Sequence, residues 1–168
     1  MSVKIVKVTT LRELKRFIRF NYELYKGNPY FVPEFYEDTV NTLRKDRNAA
    51  FEFCEADYFL AYRDGKIVGR IAAIINPRAN EKWGNKAARF GWVDFIDDTE
   101  VVDALFSTVE AWARERGMTE IQGPLGFTDF DHQGLLLEGF DYNAPMASLY
   151  THPYYVAHYE RYGLVKEK

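Results

Sequence analysis

The sequence predicts an α/β fold of the α+β type, in which helices flank a mixed β-sheet. First, Asp64-Gly65 separates two apolar, β-branched runs, and because both positions of such a turn favour positive φ, the pair predicts a β-hairpin. Second, residues 88–122 have the pattern of strand, helix and strand, which is a β-α-β unit. Third, the 168 residues are 47% hydrophobic and contain no linker or repeat, which suits the core of one domain.

The N-terminal part predicts one strand and two helices. Residues 3–8 alternate between polar and apolar side chains, as a half-buried strand does. Thr10 and Glu13 have the spacing of a capping box and begin an amphipathic helix, which Gly27-Asn28-Pro29 ends. An aromatic loop then leads into a short second helix over residues 35–45.

Strands and helices continue to alternate along the rest of the chain. Pro77 and Gly84 favour a loop over residues 76–86, with room for one helical turn. Pro153 begins the last helix and Gly163 ends it. The remaining predicted elements are strands at 57–62, 66–75, 88–96 and 118–122, helices at 99–117 and 153–162, an irregular segment at 123–144, and a final strand from Leu164 to Lys168.

The final predicted strand has an implication for the length of the natural protein. A strand of five residues at the end of a chain is either a sheet edge or the first half of a hairpin. We therefore expect residues 1–168 to be a single domain that lacks its last strand or strands. A C-terminal half of a longer chain is then a candidate partner.

Composition and charge argue against several classes of function. The net charge of −3 predicts no overall attraction to nucleic acid or to an anionic membrane, and no apolar run reaches the roughly 20 residues of a membrane span. The first residues lack the apolar stretch of a signal peptide, and the single cysteine, Cys54, cannot form an internal disulfide. His132, His152 and His158 lack the spacing of metal ligands. We therefore expect a cytoplasmic protein without a bound metal.

Two segments, together with the order of the elements, resemble the GCN5-related N-acetyltransferase (GNAT) superfamily. Tyr154–Leu164 is similar to the late helix of that family, whose signature is alanine, tyrosine, glutamate, glycine and usually phenylalanine. The matching positions are Ala157, Tyr159, Glu160 and Gly163, with Leu164 in the place of phenylalanine. Asp64–Gly69 is similar to the family's hairpin, and residues 123–128 and 134–140 look like a bacterial branch of acetyltransferase-like proteins whose chains are often longer.

The resemblance implies transfer of an acyl group from acetyl-CoA or another acyl-CoA to an amine. Such chemistry needs a base for the ammonium, hydrogen-bond donors for the tetrahedral oxyanion and an acid for the departing thiolate. By the family's pattern the acid is Tyr159, and the oxyanion contact is the backbone N–H of Val93, where the fourth and fifth strands separate. Asp94 is the candidate base, on a strand face that it shares with Trp92 and Ile96.

Each of these residues also has a structural interpretation, and the sequence leaves both open. Tyr159 has the pattern of a core tyrosine as well as that of an acid. Asp94 has the position of a strand-end carboxylate that accepts backbone hydrogen bonds as well as that of a base. The segment from Thr128 to His132 is a second acid–base candidate, although a loop with Asx turns explains its composition equally well.

The turn before the central helix departs from the family's pattern. The family has a glycine-rich loop there that wraps a diphosphate with backbone N–H groups, whereas this chain has Asp97-Asp98-Thr99-Glu100. Its three carboxylates repel phosphate, although Asp98 is suited to cap the helix and acids in a first turn favour the helix dipole. Coenzyme A is therefore implied by the resemblance and opposed by this turn.

Two functions follow from these observations. The first is an acyltransferase that acts on a small-molecule amine of unknown identity, which Tyr159 favours. The second is a non-catalytic domain of the same fold that binds a ligand or packs against the C-terminal half of a longer chain, which the acidic turn favours. A homo-oligomer is compatible with either function.

Overall fold

The computed structural model describes residues 2–128, 131, 133–136 and 151–166. Five strands, five α-helices and one short 3₁₀-helix (Ala49–Glu52) are found in this part of the chain. The strands are β1 (Lys4–Lys7), β2 (Glu55–Arg63), β3 (Lys66–Ile75), β4 (Ala87–Phe95) and β5 (Glu120–Gln122). The helices are α1 (Leu11–Leu24), α2 (Tyr36–Leu43), α3 (Pro77–Trp83), α4 (Thr99–Glu115) and α5 (Tyr154–Tyr162).

The strands form one mixed sheet in the order β1-β2-β3-β4-β5, which confirms the predicted fold class. Neighbours from β1 to β4 are antiparallel, and β4 and β5 are parallel because α4 connects them across one face. The predicted hairpin joins β2 to β3 with Arg63 opposite Lys66. Its two turn residues, Asp64 and Gly65, have φ of 52° and 76°, as this type of turn requires.

Each face of the sheet buries its own apolar cluster. The α4-face cluster joins side chains of α4 and α5 to β2, β3 and β4; its largest members are Phe90, Phe95, Phe106, Trp112, Tyr155 and Tyr159. The α1-face cluster joins α1 and α2 to the opposite face; its largest members are Phe17, Tyr58, Leu60, Ile74 and Phe127. Both clusters therefore depend on the same three central strands.

The helix boundaries follow from local sequence signals. The predicted capping box is present at α1, where Thr10 Oγ1 accepts from the N–H of Glu13 and the Glu13 carboxylate accepts from the N–H of Thr10. Gly163 ends α5 with a left-handed φ of 103°, a conformation in which glycine is favoured. Of the helices in the described part of the chain, none is both long and apolar enough to cross a bilayer.

Two segments differ from the sequence prediction. The loop expected over residues 76–86 contains α3, because the Asn76 side chain caps the N–H of Ala79 and Gly84 ends the helix in the left-handed region. Leu164–Lys166 are not in a strand. The N–H of Leu164 instead donates to the Tyr159 carbonyl oxygen as part of the end of α5, and Val165 is 90% exposed.

Some of the sequence predictions fall outside the described residues. These are Glu167 and Lys168 of the expected final strand, and most of the segment 134–140 that resembles a bacterial branch. Cys54, which does lie in the described part, is buried as a free thiol.

Candidate active site at the C-terminal half of β4

A β-bulge interrupts β4 near its middle. Asp94 pairs with Arg70 and Gly91 pairs with Ala72, so two residues of β4, Trp92 and Val93, lie opposite the single residue Ile71. Trp92 has a φ of +42°, which a bulky side chain rarely adopts. Such bulges re-aim side chains and leave backbone groups outside the regular ladder, so this position is the first candidate for a site.

The bulge coincides with the separation of β4 from β5. The parallel ladder ends at Arg89 and Gln122, and one further bond joins the N–H of Leu125 to the Phe90 carbonyl oxygen at 2.8 Å. At Gly91 the two backbones are so close that a Cβ would lie 2.2 Å from the Leu125 carbonyl oxygen, so glycine is required there. Beyond this point β4 continues without β5 beside it.

Tyrosines at the start of α5 cover the edge of β4 beyond the point where its pairing with β5 ends. The Tyr154 hydroxyl donates to the Phe95 carbonyl oxygen at 2.6 Å, and the N–H of Phe95 donates to the Tyr155 hydroxyl oxygen at 3.3 Å. His158 lies on the same helix, with Nε2 2.7 Å from Asp97 Oδ1. The edge is therefore in contact with side chains that can donate or accept protons.

Val93, the predicted oxyanion donor, is one of the two bulge residues. Alternate residues of a strand direct their backbone groups to the same edge, so Val93 shares the edge of Phe95, two residues later. Its side chain is buried in the α4-face cluster, together with that of Phe95. The backbone of Val93 thus lies where the predicted separation of the strands occurs.

Asp94, the predicted base, is buried and its two carboxylate oxygens both accept hydrogen bonds. The Arg70 guanidinium contacts Oδ2 from Nε at 2.9 Å and from Nη2 at 2.7 Å. The hydroxyls of Tyr155 and Tyr25 lie 2.7 Å and 3.4 Å from Oδ1. Proton transfer to Asp94 would therefore have to pass through, or displace, one of these partners.

Asp94 shares its strand face with fewer residues than the sequence predicts. Trp92 packs against the α1-face cluster, as does Phe17, whose carbonyl oxygen accepts from Arg70 at 3.1 Å. Ile96 lies beyond the end of β4 and packs against the opposite, α4-face cluster. The expected grouping of Asp94 with Trp92 holds, and that with Ile96 is wrong because the strand has ended.

Tyr159, the predicted acid, lies in the α4-face cluster. Its ring makes edge contacts with Phe106 and Phe90, with centroids 5.4 Å and 6.1 Å apart. The hydroxyl is buried and has no hydrogen-bond partner among the residues that the structure describes. Burial, with a further contribution from the Asp94 charge, raises the pKa of Tyr159 well above its ordinary value, so the phenol stays protonated at neutral pH.

The chain was compared with solved structures and with curated proteins. A predicted acetyltransferase of Clostridium acetobutylicum, solved with acetyl-CoA, matches 99% of this chain and 92% of its own, at 11% identity and a TM-score of 0.57. A ribosomal-protein-alanine N-acetyltransferase of Brucella melitensis biovar Abortus 2308 matches 100% of this chain and 94% of its own, at 16% identity and a TM-score of 0.56. The chain has the GNAT fold.

Two curated proteins are more similar in sequence. Protein YghO of Escherichia coli (strain K12) is 35% identical over 156 residues, and the bacterial ceramide synthase of Caulobacter vibrioides (strain NA1000 / CB15N) is 34% identical over 157 residues. Each alignment covers 92% of this chain, but only 39% and 40% of the two relatives. The chain thus spans about two fifths of their length. No protein-family model matches the sequence.

The turn that precedes α4 in this GNAT fold is occupied by the protein's own groups. Asp98 Oδ1 accepts from the N–H of Glu100 at 2.9 Å and caps the helix, while its Oδ2 pairs with Arg63. Glu100 accepts from the N–H of Val3 at 2.9 Å. The N–H groups of Glu100 and Val101 at this helix end are therefore already bonded to the Asp98 carboxylate.

The second acid–base candidate is the segment from Thr128 to His132, and its described residues form a turn. Asp131 Oδ2 accepts from the N–H groups of Phe127 and Thr128 at 2.8 Å and 3.2 Å, which is how an aspartate stabilises a loop. Residues 129, 130 and 132 of this candidate lie outside the described part of the chain. Where the structure can be described, no group of three or more potential metal ligands is found.

Three residues of this GNAT-fold site were not predicted to lie beside Asp94. Arg70, Tyr25 and Tyr155 all contact Asp94, and they come from a strand and two helices that are far apart in the chain. Arg70 had a usable signal, because a charged residue inside the apolar run of β3 needs a buried partner. The two tyrosines had none, since the chain contains 12 tyrosines.

Proposed function

We propose that this chain carries the reaction centre of an N-acyltransferase, which transfers an acyl group from a thioester to an amine. The observation that supports this most directly is the bulge in β4 where β5 ends its pairing, in a GNAT fold in which the Tyr159 ring packs on Phe90 and Phe95 of the same strand. An edge of this kind offers backbone donors and a protonated phenol to one bound group, as thioester aminolysis requires.

Val93 and Tyr159 are assigned the two roles that act on the thioester. The N–H of Val93 donates to the oxygen of the tetrahedral oxyanion, which would develop beside the bulge. Tyr159 donates its proton to the sulfur as the carbon–sulfur bond breaks. Because burial keeps this phenol protonated, its proton is present throughout the neutral pH range.

Asp94 is assigned the role of proton acceptor for the attacking ammonium. Its Oδ1 is already in contact with the Tyr155 hydroxyl at 2.7 Å, so the proton can pass through that hydroxyl without separating Asp94 from Arg70. Asp94 contacts Tyr25 of α1, whereas Tyr159 belongs to the cluster on the α4 face. Tyr155, through which this proton passes, packs in the same α4-face cluster as Tyr159, so the amine and the thioester would meet at that face of β4.

The proposed donor is acetyl-CoA or another acyl-CoA. A structural neighbour was solved with acetyl-CoA, which supports this donor class at the level of the fold. The capped helix end at Asp98 opposes the usual position of the diphosphate. A thioester on another carrier is therefore the alternative donor, and the reacting end of either one is the same.

The proposed acceptor is the primary amine of a long-chain amino alcohol. One relative is named a bacterial ceramide synthase, and a ceramide is a long-chain amino alcohol acylated on nitrogen. This chain aligns with about two fifths of that relative, so the remainder of a longer protein would contribute to the whole activity. The cytoplasmic location and a homo-oligomeric state stay predictions.

The test is turnover by the 168-residue chain and by two matched variants of α5. Thiol release and amide formation are measured with acyl-CoA donors of increasing chain length and a long-chain amino alcohol. We expect Tyr159→Phe to lower kcat about 100-fold or more without lowering Tm, because no described partner loses a hydrogen bond. Tyr162→Phe, which also changes a tyrosine packed on Phe106, should leave kcat unchanged.

Two results would contradict the proposal. If both variants turn over as the original chain does, Tyr159 is a core tyrosine and not the acid. If the chain binds an acyl-CoA or a long-chain amine, as shown by a raised Tm, yet forms no amide, the non-catalytic function is supported instead. Tyr154 and Tyr155 favour the non-catalytic function, because their hydroxyls already bond to the carbonyl oxygen and the N–H of Phe95 at the β4 edge.

A further inference from the structure

A row of cations lies on the outer side of α1. Arg12, Lys15, Arg16 and Arg19 follow the spacing that places side chains on one helical face, and we call this set the α1 basic face. Arg12, Arg16 and Arg19 are exposed, and Lys15 is half-buried. The four side chains line one shallow depression together with Leu11. They therefore present a single positive surface.

The α1 basic face has no ion pair among the residues that the structure describes. In the described part of the chain, no carboxylate lies within 4 Å of any of its four cationic groups. Glu13, the acid closest to it in sequence, is held in the capping box by Thr9 and Thr10. The surface is locally positive although the chain has a net charge of −3.

Exposed apolar side chains lie in the loop between α1 and α2. Phe35 is 82% exposed and Val32 is 55% exposed. The loop is fixed to α1 by two contacts: the Tyr22 hydroxyl donates to the Glu34 carbonyl oxygen at 2.8 Å, and the Arg19 guanidinium lies over the Tyr36 ring at 5.4 Å. The loop that carries the exposed apolar residues is therefore held against the helix that carries the basic face.

We propose that the α1 basic face and the exposed Phe35 dock on a lipid bilayer that contains anionic headgroups. Cations attract the phosphates of such a surface, and an aromatic side chain can enter the boundary between headgroups and acyl chains. An acidic protein would satisfy the cations but would not need a largely exposed aromatic ring beside them. Glu37 and Asp38, in the first turn of α2, oppose docking in part, so binding should be weak and reversible.

Docking here would place the bilayer on the side of the sheet that carries α1. Tyr25, at the end of α1, stacks on Phe31 of the same loop, and its hydroxyl lies 3.4 Å from Asp94 Oδ1. The bilayer would therefore contact the helix whose C-cap residue contacts Asp94. Docking itself does not rest on the proposed function.

The experiment is co-sedimentation of the 168-residue chain with two kinds of vesicle. One is phosphatidylcholine alone, and the other is phosphatidylcholine with phosphatidylglycerol, each at low and at high salt. We expect binding to the anionic vesicles only, and weaker binding at high salt. The combined variant Arg12→Gln, Arg16→Gln and Arg19→Gln should bind about 100-fold more weakly. Phe35→Ser should weaken binding at both salt concentrations.

The matched control is the combined variant Lys4→Gln, Lys66→Gln and Lys82→Gln, which removes the same charge from exposed positions elsewhere. It should bind as the original chain does.

The proposal is overturned if this control loses as much binding as the α1 variant, or if neither vesicle binds the chain. It is also overturned if the α1 face is needed to bind poly-glutamate but not vesicles, which would assign the face to an acidic protein. Turnover of a water-soluble amine should survive the α1 variant, so failure of docking and failure of the proposed chemistry are distinguishable.

Discussion

The Arg70–Asp94 ion pair occupies the centre of the candidate site and is almost completely buried. Its side chains are 5% and 8% exposed, and the guanidinium also bonds to the carbonyl oxygen of Phe17. A buried pair of this kind adds little stability compared with apolar side chains of the same shape. Loss of one partner is costly, because the other charge then stays buried without compensation.

This asymmetry gives a prediction at the scale of single residues. Arg70→Met should lower the free energy of unfolding by about 3–5 kcal/mol, and Asp94→Leu by a similar amount, whereas the double variant should lose less than the sum. Urea unfolding of the four proteins measures the coupling. Arg114→Met is the control, because its contact with Glu110 is exposed and should contribute less than about 1 kcal/mol. Equal losses for Arg70→Met and Arg114→Met would contradict a structural role for the buried pair.

A second property of single residues concerns the backbone at the bulge. Trp92 takes a left-handed conformation that glycine or asparagine usually adopts, and nothing in the residue type announces it. The indole packs against Phe127, at 5.7 Å between ring centroids, in the α1-face cluster. Tertiary packing therefore offsets the backbone strain. This is why a bulge that determines the site was not visible in the alternating pattern of residues 88–96.

At the scale of elements, α4 begins with a carboxylate that has two functions. Asp98 caps the helix through the N–H groups of Glu100 and Val101, and it pairs with Arg63 at the end of β2. The Arg63 guanidinium is the largest cause that holds the pKa of Asp98 below its ordinary value of 3.8. The contact joins the hairpin to α4, so the acidic turn contributes to folding.

The lowered pKa predicts how stability depends on pH. Because the folded state favours the charged carboxylate, the contribution of Asp98 is complete above the unfolded pKa near 3.8 and is lost as pH falls through the lower folded value. The difference in unfolding free energy between the original chain and Asp98→Asn should thus be constant near neutral pH and shrink below about pH 4. Urea unfolding over a pH series measures it.

The cap and the ion pair can be separated with two more variants. Asp98→Ala removes both and should cost about 1 kcal/mol at neutral pH, while Asp98→Asn keeps a capping oxygen and should cost less. In Arg63→Gln the main cause that lowers the pKa of Asp98 is gone, so the pKa of this carboxyl in the folded state should lie closer to 3.8. The stability that Asp98 contributes should then be lost over a narrower range of acidic pH. A constant difference between the original chain and Asp98→Asn from neutral to acid pH would refute this account.

Elements with local signals were predictable, and those set by distant contacts were not. The turn at Asp64-Gly65 and the capping box at Thr10 need only neighbouring residues, and the structure confirms both. The α3 helix was missed although Asn76 could cap it, because Pro77 and Gly84 also fit a loop. The expected strand after Gly163 depended on a partner that no local pattern supplies.

The candidate site shows the same division between local and distant information. Tyr159, Val93 and Asp94 were proposed from a resemblance, and the structure places all three around the C-terminal half of β4, while their roles stay predictions. The contact between Asp94 and Arg70 joins residues 24 apart in the chain, and that between Asp94 and Tyr155 joins residues 61 apart. Pairings of this kind depend on strand register and helix placement, which sequence patterns do not contain.

At the scale of the whole molecule, one sheet lies between the two apolar clusters, and each cluster includes side chains from the strands of that sheet. Leu60 and Ile71 are fully buried on neighbouring strands, yet they belong to opposite clusters. Neither cluster can persist if β2 and β3 come apart, because each is built on one side of the same strands. The clusters should therefore unfold together, as a single cooperative unit.

The three tryptophans allow this cooperativity to be measured. Trp112 lies in the α4-face cluster, Trp92 packs against the α1-face cluster, and Trp83 is 71% exposed. In a Trp83→Phe background, a further Trp92→Phe or Trp112→Phe leaves one reporter for each face. Within each variant, the urea midpoint of tryptophan fluorescence should coincide with that of far-UV circular dichroism. Trp112→Phe also removes a 2.8 Å hydrogen bond to Asp57, so midpoints are compared within a variant and not between variants. If the reporter for one face changes at lower urea than the backbone signal, that cluster opens independently, and the sheet does not couple the α1-face cluster to the α4-face cluster.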